Sequence, residues 1–201
     1  MRVIARDGVH EIEIQRSRFL CSVGRVGDEA EAAAFIARVR KEHWSASHNC
    51  SAFRVGGTQR SSDDGEPAGT AGVPMLEVLI RRELTDTVAV VTRYFGGVKL
   101  GAGGLVRAYG RAVSEAVDAI GTLGRARFAT FGIAVDHADA GKVENSLRAA
   151  GHRIADIAYD RRATITVHIP EADTTAFHEW LASQTAGAAT AEPGPPVDLD
   201  I

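Results

Sequence analysis

Cysteine is scarce in this chain. Cys21 and Cys50 are the two present in 201 residues, too few for a disulfide framework, and they read as reduced thiols of a cytoplasmic protein. Long apolar runs are missing as well. No stretch approaches the roughly 18–20 residues that a membrane helix needs, so no membrane partner is expected. Residues 1–15 carry Asp7, His10, Glu11 and Glu13 without a continuous apolar core, unlike a secretory signal. An excess of positive charge is also absent: the formal net charge is −3, which excludes a broadly cationic nucleic-acid coat. Lysine occurs at positions 41, 99 and 142 alone, so arginine supplies almost every cation. No repeat of 20–50 residues is present.

What the chain does contain is an ordinary globular mixture, 45% hydrophobic and 24% charged, enough for a packed core in one or two domains. Charge is unevenly spread. Residues 1–121 hold 16 Lys+Arg against 15 Asp+Glu, whereas residues 122–201 hold 7 against 11. An anion-binding patch is therefore expected to be local and to lie in the first half.

Periodicity orders the elements. Residues 10–15 alternate as a half-buried strand does, and 17–23 continue extended. Asp28 and Glu31 form a capping box for a helix over 29–42, with Ala32, Phe35, Ile36 and Val39 on one stripe. Residues 47–55 read as a strand with His48, Cys50 and Ala52 on one face. Residues 60–72 are rich in turn formers and read as a loop, and Pro74 suits the first turn of the next helix. The β-branched run 87–92 reads as a central buried strand. A glycine-rich turn follows, then a helix over 105–120 that stops at Gly121. Beyond about 121–125 the pattern is strand 127–135, helix 138–150, strands 153–159 and 163–169, helix 173–183 and a short strand at 187–191. That is the β-α-β-β-α-β order of a ferredoxin-like domain. Residues 193–201, Pro-rich and acidic, read as a loose tail.

The densest functional signal is 93–111, Arg-Tyr-Phe-Gly-Gly-Val-Lys-Leu-Gly-Ala-Gly-Gly-Leu-Val-Arg-Ala-Tyr-Gly-Arg, with four cations, six glycines and no acid. Amides at a helix start, bared by Gly96, Gly97, Gly101, Gly103 and Gly104, can cradle an anion beside Arg93, Lys99, Arg107 and Arg111. The same glycines also serve a tight strand-to-helix crossing, and arginines at i, i+4 also coat a solvated face. Neither nucleotide-loop pattern fits: no Ser or Thr follows a Gly-Lys pair, and the dinucleotide spacing from Gly101 ends on Val106. In the second signal, Ser62, Asp63, Asp64, Glu66 and Thr70 lie in a loop long enough for recognition. Its carboxylates could hold Mg²⁺ or act as an acid–base pair, but turn chemistry explains them more simply. His48 and Cys50 share a strand face at a spacing of about 6.5–7 Å, too far for a direct nucleophile–base bond. His43, His137, His152, His168 and His178 show no metal spacing. Trp44 and Trp180 read as core edges, and Tyr94, Phe95 and Tyr109 as aromatic packing rather than base-stacking groups.

The stretches Ser17-Arg-Phe, His48-Asn-Cys, 62–72 and 90–109 together resemble the signature of the YigZ/IMPACT family, and the resemblance extends from about residue 1 to about 190. It implies an α+β protein. A two-layer α/β domain similar to the second domain of ribosomal protein S5, with a left-handed crossover, would occupy 1–122. A ferredoxin-like domain similar to the last domain of the translocating elongation factor would occupy 123–192. Eukaryotic relatives regulate translation through the kinase pathway that senses uncharged tRNA. The resulting expectation is a non-enzymatic, RNA- or ribosome-associated regulator of translation, without a cofactor, with a protein of the translation machinery as a further partner. An enzyme acting on a phosphorylated or nucleotide ligand, with the 60–72 loop as metal or base site, is the alternative.

Overall fold

The first sheet is built around strands buried on both faces. The computed structural model describes all 201 residues, which divide into two compact units, Met1–Gly124 and Arg125–Ile201. The first unit runs β1 (Arg2–Ile4), β2 (Gly8–Ile14), β3 (Ser17–Arg25), α1 (Glu29–Glu42), β4 (His48–Val55), β5 (Thr58–Ser62), α2 (Gly72–Arg81), β6 (Thr87–Tyr94) and α3 (Gly101–Ile120). Its sheet has the order β2-β3-β6-β4-β5, with every neighbouring pair antiparallel. β6 lies at the centre, and Val88, Ala89, Val90 and Val91 are all 0% exposed. Their alternation divides them between two cores. Ala89 and Val91 pack with α2 and α3, while Val88 and Val90 pack with the α1 side.

This placement fixes the handedness of the crossovers. Strands β3 and β4 are parallel to each other, as are β5 and β6, because each pair shares an antiparallel relation to its common neighbour. The β3-α1-β4 step moves across the sheet on one face. The β5-α2-β6 step moves back in the opposite direction on the other face, with strands reversed. Two such steps are necessarily of opposite hand, so one of them is left-handed, against the general rule. The helix caps follow the sequence: Asp28 accepts the Glu31 N–H at 2.8 Å, and Glu31 accepts the Gly27 N–H at 2.7 Å.

In the second unit β7 (Thr122–Val135), α4 (His137–Ala149), β8 (Arg153–Tyr159), β9 (Ala163–Pro170), α5 (Thr174–Thr185) and β10 (Ala191–Asp200) give the order β10-β7-β9-β8, all antiparallel. This is the ferredoxin-like arrangement. The first three residues of β7, which still belong to the first unit, pair with β1. Ile133, Ile165, Leu147 and Phe177 form the centre of the second unit's core.

Three elements differ from the sequence-based expectation. The segment expected as a loose tail is strand β10, and no separate strand forms at 187–191. Pro193, Pro195 and Pro196 are tolerated because β10 pairs on one side only, and its register shifts between Gly194 and Val197. The loop expected over 60–72 is shorter, since residues 60–62 belong to β5, which pairs with β4. Helix α3 begins at Gly101 rather than 105.

Candidate functional site

The turn between β6 and α3 is held at close quarters. The Gly96 N–H donates to Ser17 Oγ at 3.1 Å, and a Cβ on Gly96 would lie 2.0 Å from the Arg16 carbonyl oxygen. No residue but glycine fits there. Gly97 and Gly101 adopt φ of +84° and +70°, which glycine reaches without strain. Gly101, Gly103 and Gly104 are the first turn of α3 itself, because packing of Leu105, Ala108 and Tyr109 extends the helix past their weak propensity. Leu100 stands at the N-cap and supplies no side-chain acceptor, so the first-turn amides have no side-chain cap.

The four cations have separate fates. Arg93 turns inward: its side chain is 6% exposed and Nη1 donates to Glu66 Oε1 at 2.6 Å. Its guanidinium carbon lies 5.5 Å from the ring centroid of Phe19 and 5.4 Å from that of Phe95. Arg111 pairs with Glu115 at 2.6 Å. Lys99 and Arg107 have no ion-pair or hydrogen-bond partner. Lys99 and Gly101 line a pocket of about 420 Å³ with Ser47, His48, Glu66 and Phe95. Arg107 and Arg111 line a different groove, between α2 and α3, although Arg107 Nη1 reaches back to 3.8 Å from where a Gly103 Cβ would stand. The 93–111 cations therefore do not converge on one point.

The acidic loop is occupied by its own structure. Asp63 accepts the N–H groups of Gly69, Ala71 and Gly72 at 2.8, 3.0 and 2.8 Å and so caps the start of α2. Partial burial, the largest single influence, pushes its carboxyl upward, but those three amides together hold it below the ordinary value. Asp64, at φ +45°, accepts the Asn49 N–H at 2.6 Å and pairs with Arg40 at 3.0 Å. Glu66 accepts from Arg93 and, at 2.8 Å, from the Tyr109 hydroxyl. The Thr70 hydroxyl donates to the Pro67 carbonyl at 2.6 Å, and Ser62 Oγ accepts the Asp64 N–H at 3.4 Å. No group of three or more His, Cys, Asp or Glu is placed to hold a metal ion. The three carboxylates thus serve the fold rather than converging as a metal or acid–base set.

His48 and Cys50 do not form a nucleophile–base pair. His48 Nδ1 lies 2.9 Å from the Asp64 carbonyl, and Cys50 Sγ donates to the Asp63 carbonyl at 2.9 Å. Burial pushes the Cys50 thiol up to about 12, which leaves it a poor nucleophile at neutral pH. Trp44 is not a core edge, being 82% exposed, whereas Trp180 does pack against the second core. Tyr109 is fully buried, edge-on to Phe19 at a centroid distance of 5.3 Å. The Arg93–Glu66–Tyr109 cluster escaped the sequence reading. Its signal was present in the strand parity, since position 93 falls in phase with the inward-facing Ala89 and Val91.

The chain matches the Impact N-terminal domain over residues 15–117, the segment that contains this site. It belongs to the IMPACT family. The IMPACT family member YvyE of Bacillus subtilis is 48% identical over 190 residues, 93% of this chain and 88% of that protein. The IMPACT family member YigZ of Escherichia coli is 35% identical, with 88% of this chain and 89% of that protein aligned. Residues 133–188 match a domain of unknown function (DUF1949). A crystal structure described only as that of a hypothetical protein is 32% identical, with a TM-score of 0.63 over 96% of this chain and 97% of that one. The IMPACT fold here is α+β, an S5 domain 2-like unit followed by a ferredoxin-like one. No helix is long and apolar enough to cross a membrane.

Proposed function

We propose that this IMPACT family member is a non-enzymatic regulator of translation that binds the phosphate backbone of RNA, free or on the ribosome, at the start of α3. Family membership supports a regulatory role in general. The observation that carries the RNA reading is the pair Lys99 and Arg107, the two cations of 93–111 left without partners, flanking a helix start whose amides have no side-chain cap. Backbone amides and unpaired cations are the groups that phosphate binding uses. Arg93, buried against Glu66, does not touch phosphate in this reading, whereas Arg111 is engaged only by an exposed pair with Glu115. The reduced thiols fit a cytoplasmic setting, and a protein of the translation machinery remains compatible as a further partner.

The enzyme reading has less support, because Asp63, Asp64 and Glu66 each have structural partners. The test is a salt series of binding to a labelled hairpin RNA. Lys99→Ala with Arg107→Ala should weaken binding and flatten the slope of log K against log salt by about 0.7–0.9 for each phosphate that the variant no longer neutralises. An unchanged slope removes this turn from RNA binding.

A further inference from the structure

Phe95 is tethered through its backbone and left half exposed. Its backbone N–H donates to Ser47 Oγ at 3.1 Å, and the next residue, Gly96, is clamped against Arg16 and Ser17. The Arg93 guanidinium lies 5.4 Å from the Phe95 ring centroid and is itself fixed by Phe19 and by the 2.6 Å bond to Glu66. Even so, 49% of Phe95 remains open to solvent. Exposure of a single large apolar side chain needs no explanation by itself, since Trp44, Tyr159 and Val9 are more exposed; what sets Phe95 apart is its neighbourhood. Phe95 also lines the 420 Å³ pocket, with Pro67, Leu100 and Leu105 as further apolar walls and His48, Glu66, Arg93 and Lys99 as polar ones. A flat apolar surface next to an unpaired cation and bare amides is what a nucleotide with an unstacked base requires. Inside a continuous duplex a paired base presents only its edge, so its face cannot lie on Phe95.

We infer that Phe95 is a stacking platform for an unpaired base, so the RNA recognised at this turn is single-stranded there. The base face lies on the ring while the adjoining phosphate meets Lys99 and the start of α3. This rests on the RNA reading above and narrows it from any phosphate backbone to a single strand. Arg93 then acts indirectly as well, as the backing of the ring.

The experiment measures the full chain against a labelled 12-nucleotide single strand and the same sequence as a duplex, by fluorescence anisotropy across a salt series. The single strand should bind at least tenfold more tightly. Phe95→Ala should weaken single-strand binding by about ten- to a hundredfold, the value of one base–aromatic stack, with the salt slope unchanged. Phe95→Trp should restore it. Equal affinity for both forms, or a Phe95→Ala variant that binds as the parent does, overturns the stacking inference while the RNA reading stands. Binding of neither form overturns the RNA reading itself and leaves Phe95 as an anchor for a protein partner. Amide exchange of Phe95→Ala that matches the parent in β6 separates lost stacking from lost folding.

Discussion

Replacing Glu66 by alanine is the sharpest perturbation the first unit offers. The carboxylate is 4% exposed and accepts from both Arg93, 6% exposed, and Tyr109, 0% exposed. Its removal leaves a guanidinium buried with no counter-charge, since Arg93 Nε already has no partner and Nη1 would lose its own. Breaking one side of a buried pair typically costs about 3–5 kcal/mol. The Tyr109 hydroxyl loses its acceptor too. Because the chain has two units, a single melting curve is a poor readout. Hydrogen exchange read separately at residues 88–92 of β6 and in β9 isolates the effect. The β6 amides of Glu66→Ala should exchange faster by roughly two to four powers of ten, with the β9 amides unchanged. Replacing both charges, Glu66→Leu with Arg93→Met, should recover most of the stability, because no unpaired charge then remains. A single variant that costs less than about 1 kcal/mol, or a double variant as damaged as the single, would refute a desolvated ion pair as the organiser of this site.

Other consequences follow from the same geometry. Gly96→Ala should cost about 1–3 kcal/mol, since the clash is with backbone that cannot swing away, and the β6 amides should exchange faster accordingly. Gly103→Ala should instead stabilise the first unit by up to about 1 kcal/mol, because the only atom within 4 Å of the new Cβ is Arg107 Nη1 at 3.8 Å. Equal effects of the two would contradict both assignments. In the second unit, burial holds His152 and His168 below their ordinary value of 6.5. Above that value neither the folded nor the unfolded chain carries these charges. As the pH falls through it the unfolded chain is protonated first, so stability declines from 6.5 downward to the lower native values. Exchange at β9 should accelerate as the pH drops from about 7 to about 5.5, after correction for intrinsic rates, and a flat profile would count against it.

Much of the scaffold was legible because it depends on local period. The α1 stripe with its Asp28–Glu31 cap, the apolar β6 run and the alternation of β9 each name their element without tertiary help. β10 was not legible, because three prolines forbid a central strand and nothing local reveals that a one-sided neighbour is available on β7. The start of α3 was misplaced for the opposite reason. Its glycines are poor helix formers, and the packing of Leu105, Ala108 and Tyr109 that overrides them belongs to the tertiary core. At the site, composition counted four cations in 93–111 but could not assign partners. Glu66 and Arg93 are 27 residues apart, and only the folded chain brings them to 2.6 Å.

That pairing changes what the acidic loop means for function. Three carboxylates in a flexible loop would suggest metal chemistry, yet here Asp63 starts α2, Asp64 ties the loop to β4, and Glu66 draws Arg93 inward. By holding Arg93 against the Phe95 ring, Glu66 withdraws one cation of 93–111 from the surface and backs an aromatic side chain with it. In the proposed RNA complex, a site built this way would derive less affinity from charge and more from stacking. The two proposed contributions would respond differently to conditions, since salt weakens a phosphate contact of the kind proposed for Lys99 and Arg107 and leaves a stack almost untouched. Glu66→Ala therefore has a functional signature distinct from its stability cost. Under conditions where the unit stays folded, it should resemble Phe95→Ala, with a weakened single-strand complex and a preserved salt slope, rather than the Lys99→Ala and Arg107→Ala pair. A Glu66 variant that instead steepened the slope would mean that the released Arg93 had swung outward to meet phosphate, and that the ring had never needed its backing.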